Sequence, residues 1–246
     1  MKKRIRALLE RAPGLGPMVR QVLQLRDASV RLAHLEARIS NHRWFEIEEI
    51  LGYLVGAQLP GDYCEFGVFQ GTTFAHCLRH GAPALPNLRY FAFDSFQGLP
   101  RPRGVDAVDG FSSNFHEGEF ACDEASFWAN LRRQHVDVSR VIAVAGWFDR
   151  VLNDETAQRI GLDKIAAAWI DGDLYESCVP VLAFLTPRLS TGSVIAFDDW
   201  RGFRNLPDRG EQRACAEWLA MNPQITLRPL FSFGHYGQVF TVELSA

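Results

Sequence analysis

Two apolar runs that stop abruptly in aspartate constrain this chain most. Ile165 to Ile170 ends at Asp171, Ser193 to Phe197 ends at Asp198 and Asp199, and a helix-length segment, Leu174 to Leu189, lies between them. Short, continuous apolar runs so arranged predict neighbouring parallel strands buried on both faces, whose C-terminal ends form the ligand-binding edge of an open α/β sheet. A helix over the connecting segment climbs ~24 Å and a six-residue strand returns ~20 Å, so Asp171 and Asp198 are expected at one height. Three carboxylates on one rim need a cation. Such hard oxygen ligands suit Mg²⁺, Mn²⁺ or Ca²⁺, and the lack of Cys or paired His nearby argues against zinc there.

The 246 residues, 47% of them hydrophobic, suit one large domain, 41–246, preceded by an N-terminal helical extension, 1–40. Residues 1–40 hold nine Lys/Arg against three Asp/Glu, so a basic head precedes an acidic body, and the net charge of −3 argues against a nucleic-acid-binding surface. In the head, Lys2–Arg11 and Met18–Ile39 read as two helices, the second with a heptad-like stripe from Met18 to Ile39. That stripe fits packing on the body, pairing with a second copy, or a basic amphipathic segment lying on a membrane surface; sequence does not separate these. Five scattered cysteines without a C-x-x-C pair, and no long apolar run, fit a soluble cytoplasmic protein. Only three lysines occur, Lys2, Lys3 and Lys164, which disfavours a catalytic lysine.

Further strands are expected at Gly61–Phe66, Leu88–Phe93, Arg140–Ala145, Ile225–Leu230 and Gln238–Leu244. Helices are expected at 44–56, after Gly71, at Ala125–His135, at Asp149–Ile160 and before Met221. The stretch Gly98–Glu124 is too long for an ordinary connection and reads as a lid or binding segment.

Three motifs carry chemistry besides the aspartates. In Cys64-Glu65-Phe66-Gly67-Val68-Phe69-Gln70-Gly71-Thr72-Thr73, the glycines allow a tight strand-to-helix turn and the threonines can cap the helix. This E-x-G-x-x-x-G spacing is not the dinucleotide fingerprint, and Glu65 suits a positively charged cofactor better than a pyrophosphate. Asp94, opening Asp94-Ser95-Phe96, stands where ribose hydroxyls are accepted, and Gly146-Trp147-Phe148 offers aromatic surface to an adenine or to the core. Asp173 follows Asp171 by two residues and caps a helix or joins the site.

The segments GDYCEFGVFQGTT, FDSFQGLP, GWF, IDGDLYES and VIAFDDW, in this order over roughly residues 41–244, resemble the macrocin O-methyltransferase (TylF-type) family. The resemblance implies a Rossmann-like class I methyltransferase with a mostly parallel seven-stranded sheet flanked by helices. It further implies S-adenosylmethionine at Glu65, Gly67, Phe69, Gly71, Thr72, Asp94, Ser95, Phe96, Gly146, Trp147, Phe148 and Asp171, a divalent metal at Asp171, Asp198 and Asp199, and methylation of a sugar hydroxyl. With Leu174 where related catechol enzymes carry a lysine, the general base is sought among Asp171, Asp173 and His116. Arg101, Arg103, Arg201, Arg204 and Arg209 border the crevice and either receive an anionic acceptor or are solvated loop charge. The rival readings are a nicotinamide-dependent sugar oxidoreductase or epimerase and a non-catalytic metal-binding module.

Overall fold

The computed structural model describes residues 44–107 and 115–245. The expected basic head with its two helices, and the middle of the long loop, lie outside the described residues. Seven strands form one sheet: β1 (Asp62–Phe66), β2 (Tyr90–Asp94), β3 (Val141–Ala145), β4 (Ile165–Ile170), β5 (Val194–Phe197), β6 (Ile225–Phe233) and β7 (Gly237–Leu244). Their order is 3-2-1-4-5-7-6, and β7 alone runs against its neighbours. The described helices are α1 (44–57), α2 (Thr72–Ala84), α3 (Glu124–Arg133), α4 (Phe148–Val151), α5 (Asp154–Ile160), α6 (Tyr175–Leu185) and α7 (Gly210–Met221).

Strand alternation explains the uninterrupted apolar runs. Phe66, Phe93, Ile170 and Phe197 point into one layer, where Cys178, Leu182 and Phe184 of α6 and Ala214 and Trp218 of α7 meet them. Tyr63, Tyr90, Trp169 and Ala196 point the other way, toward Ile50 and Leu54 of α1, Phe74 and Leu78 of α2 and Phe127 of α3. A strand covered on both faces has no polar position to spare.

Departures from the expected elements have local causes. The helix expected over Asp149–Ile160 breaks in two because the Asn153 side chain accepts the Thr156 N–H, 2.9 Å, and starts a new helix. The expected Leu174–Leu189 helix ends at Leu185 and tightens into a 3₁₀ turn at Pro187, which has no N–H to continue the helical ladder. Strand β6 runs on past Pro229 to Phe233 because a bulge between Pro229 and Phe231 absorbs the missing donor on this edge strand. All five cysteines are unpaired thiols. Among the described residues no helix is long and apolar enough to cross a membrane.

Candidate active site

The parallel register puts the C-terminal tips of β1, β2, β4 and β5 on one rim. Phe66 pairs with Phe93 and Ile170, and Ile170 with Phe197, so Gly67, Asp94, Asp171 and Asp198 follow at equivalent heights. Gly67 has φ +90°, and a Cβ there would lie 1.9 Å from the Asp171 carbonyl oxygen; only glycine lets the two tips touch.

On the β1/β2 side, Asp94 accepts three backbone N–H bonds: from Val68 (2.7 Å) and Phe69 (3.1 Å) through one oxygen, and from Phe96 (2.7 Å) through the other. The glycine loop is thus fastened to the tip of β2. Phe69 and Phe96 take positive φ, an outlying conformation for bulky residues that clusters at functional sites. Helix α2 begins after Gly71 without a side-chain cap, so the expected capping by Thr72 or Thr73 does not occur and no side chain occupies its first amides. The Ser95 hydroxyl donates to the Gly98 carbonyl and closes its own turn. Glu65 does not present its carboxylate on the surface; it is buried, accepting the Tyr63 hydroxyl at 2.6 Å. Gly146 is held beside Asp94 by its N–H to the Asp94 carbonyl, 2.8 Å. Phe148 turns edge-on to Phe66 and joins the core, and Trp147 is half-buried.

On the β4/β5 side, oxygens of Asp171, Asp173 and Asp199 lie within 4.8 Å of one another. Asp198, expected among the ligands, is buried next to this group and outside it, while Asp173 is inside it, its backbone at φ +56°. Burial, then the charge of Asp171, pushes the Asp173 carboxyl up to about 8, while a hydrogen bond with Asp199 pulls it down. Sequence reasoning missed a fifth acid, Glu211 in the first turn of α7. It is buried, accepts the Asp199 N–H at 3.1 Å, and is pushed well above the usual carboxylate range by burial and then by Asp199, Asp198, Asp171 and Asp173. Its other oxygen has no hydrogen-bond partner. Five crowded carboxylates, with the Glu211 oxygen buried and unsatisfied, fit a hard divalent cation.

A second missed residue is Asp106. Fully buried in the long loop, it accepts the Tyr175 N–H (2.6 Å) and the Gly210 N–H (3.1 Å), capping α6 and α7 together. Burial raises its carboxyl, opposed by those two amides. The loop is pinched at its base, where the Leu99 N–H donates to Glu119 and the Gly118 N–H to Leu99. His116 sits on an exposed turn 3.2 Å from Glu119. Of the expected arginines, Arg201 is consumed by the β6–β7 hairpin, donating to Gly237, Ser232 and Gln238, and so is not open to an acceptor. Arg101, Arg103 and Arg204 are exposed, and Arg209 is partly buried beside Asp208.

The strand order, the single reversed strand and the loop-to-helix turn after β1 define the class I methyltransferase fold. Within that class the chain belongs to the macrocin O-methyltransferase (TylF) family, whose profile matches residues 26–212, beginning upstream of residue 41. It is 34% identical over 149 residues to the 8-demethyl-8-(2,3-dimethoxy-alpha-L-rhamnosyl)-tetracenomycin-C 4'-O-methyltransferase of Streptomyces olivaceus, which covers 58% of this chain and 54% of that protein. It is 29% identical over 174 residues to the demethyldecarbamoylnovobiocin O-methyltransferase of Streptomyces niveus, covering 68% and 63%. The chain therefore spans between about half and just under two thirds of the length of these relatives. The solved structure of the O-methyltransferase NovP is similar with a TM-score of 0.66 and 25% identity, covering 81% of this chain and 78% of that one.

Proposed function

We propose that this protein is a divalent-cation-dependent O-methyltransferase that uses S-adenosylmethionine to methylate a sugar hydroxyl of a glycosylated natural product. The observation that carries the reading is the set of Asp171, Asp173 and Asp199 oxygens within 4.8 Å of one another, beside a glycine loop fastened to Asp94. Family membership supports methyl transfer, and the relative from Streptomyces olivaceus, whose name specifies a rhamnosyl-bearing acceptor, supports a sugar acceptor here.

In this reading Asp171, Asp173 and Asp199 hold the cation, with Asp198 and the buried Glu211 carboxyl beside them. Asp94 receives the cofactor ribose, the open amides of α2 face its charged end, and Phe69 and Trp147 flank its base. When bound, the cofactor supplies an electrophilic methyl group on a sulfonium and the cation lowers the pKa of a neighbouring hydroxyl. Asp173, inside the oxygen cluster, takes the hydroxyl proton; His116, exposed and paired with Glu119, is not needed for it. The loop tethered by Asp106 covers the acceptor, and the exposed Arg101, Arg103 and Arg204 suit an acceptor bearing negative charge.

The test is label transfer from S-adenosylmethionine to a panel of glycosylated acceptors, with calorimetric titration of S-adenosylmethionine and NAD. Label in a sugar product that disappears on chelation, and heat with S-adenosylmethionine alone, are expected. Transfer undiminished by exhaustive chelation rejects the cation, and heat with NAD alone rejects methyl transfer.

A further inference from the structure

Helices α1 and α2 carry a second set of ligating side chains that methyl transfer does not use. His76 and His80 stand one turn apart on α2, which puts them on one face, with ring centroids 4.3 Å apart. From α1, Glu48 brings one carboxylate oxygen to 3.3 Å from His76 Nε2 and 3.8 Å from His80 Nε2, and the three ligand atoms lie within 4.8 Å of one another. His76 Nε2 is buried without a hydrogen-bond partner, so its approach to Glu48 is close but not aligned as a hydrogen bond. The Trp44 ring, 4.7 Å from His76, lies against that imidazole.

Those separations match a metal site. Ligands at ~2.0–2.1 Å in a tetrahedron stand about 3.3 Å apart, so an ion between these atoms requires side-chain shifts of well under an ångström for the nearest pair. Two imidazoles and one carboxylate suit zinc and its neighbours, not magnesium, which prefers all-oxygen sites. Glu48 and His80 are each more than two-fifths exposed, which leaves an entry path and a fourth position for water.

We propose that Glu48, His76 and His80 form a zinc-class site that clamps α1 onto α2, the helix that begins at the glycine loop. It shares no ligand with the aspartate cluster, so the two differ in metal preference and can be emptied separately.

The experiment titrates zinc by calorimetry into the untagged full chain held in excess magnesium, which fills the carboxylate cluster, and repeats it with cobalt to read visible absorption. One zinc equivalent is expected, with cobalt bands of a four-coordinate nitrogen-rich site and a rise in Tm with zinc. His80→Ala and Glu48→Gln should each weaken zinc by about tenfold or more, while Asp199→Asn leaves it unchanged. Glu48→Gln is isosteric and exposed, so it keeps the test valid even if the histidine variant folds poorly. Zinc binding unaltered in both Glu48→Gln and His80→Ala, or lost in Asp199→Asn, overturns the proposal.

Discussion

The two halves of the rim handle negative charge in opposite ways. At the tip of β2, the single carboxylate of Asp94 meets three backbone N–H donors, and the result is a fixed loop shape. At the tips of β4 and β5, the carboxylates meet mainly one another: Glu211 and Asp173 both feel the charges of Asp171 and Asp198, and both are pushed up by burial. The first half is complete as folded, and in the second Asp173 and Glu211 are pushed toward their protonated forms. Preorganised shape and stored electrostatic tension thus stand side by side, joined where Gly67 touches Asp171.

The sharpest way to separate the halves is to remove charge from one. Asp199→Asn should lower kcat by ~10³-fold while the S-adenosylmethionine Kd stays within about threefold, read by label transfer and calorimetry. An equal loss of cofactor affinity breaks the division. Next, Gly67→Ala attacks the junction: a Cβ 1.9 Å from the Asp171 carbonyl, at φ +90°, should cost roughly 3 kcal/mol in urea unfolding. Asp106→Ala leaves two helix-start amides without their acceptor and should cost about 2 kcal/mol, with a raised acceptor KM.

Tension on the β4/β5 side also predicts a pH dependence. Asp173 and Glu211 have folded pKa values above their unfolded ones, so between about pH 4 and pH 8 the native state holds more protons than the unfolded state. Stability of chelated protein is therefore full on the acid side and declines as pH rises toward 8, by several kcal/mol at roughly 1.4 kcal/mol per pH unit for each extra proton held, visible as a lower Tm at pH 8 than at pH 5.5. Saturating magnesium should flatten that slope. The smallest effect belongs to His116→Ala, which should change kcat by less than about twofold because the side chain is exposed and pairs only with Glu119 among the described residues.

How much of this the sequence discloses follows from where each signal resides. Strands β4 and β5 are legible because both faces are covered, so their apolar runs are unbroken and their aspartate ends conspicuous. Asp94 is legible from its place after the second strand. Glu211 is not: in sequence it is an ordinary acid in a first helical turn, and only the packing of α7 against the β5 tip buries it. Asp106 is equally silent, since its partners Tyr175 and Gly210 are distant in the chain and both are backbone amides, which leave no side-chain signature. Asn153, by contrast, carries a readable capping signal that an unbroken helix over Asp149–Ile160 overlooks. Two of the three side chains of the proposed zinc set are visible as a His-x-x-x-His pair on α2, but Glu48 joins them through tertiary packing alone.

One carboxylate, Asp106, secures the starts of two helices at once, and α7 delivers Glu211 to the acidic corner within its first turn. In the proposed function, the segment that would cover the acceptor is thereby geared to the corner that would hold the ion. Prising this strap outward to admit a bulkier glycoside would slacken the purchase of α7 on β5, so broadened substrate tolerance gained at this point should be accompanied by leakier ion retention.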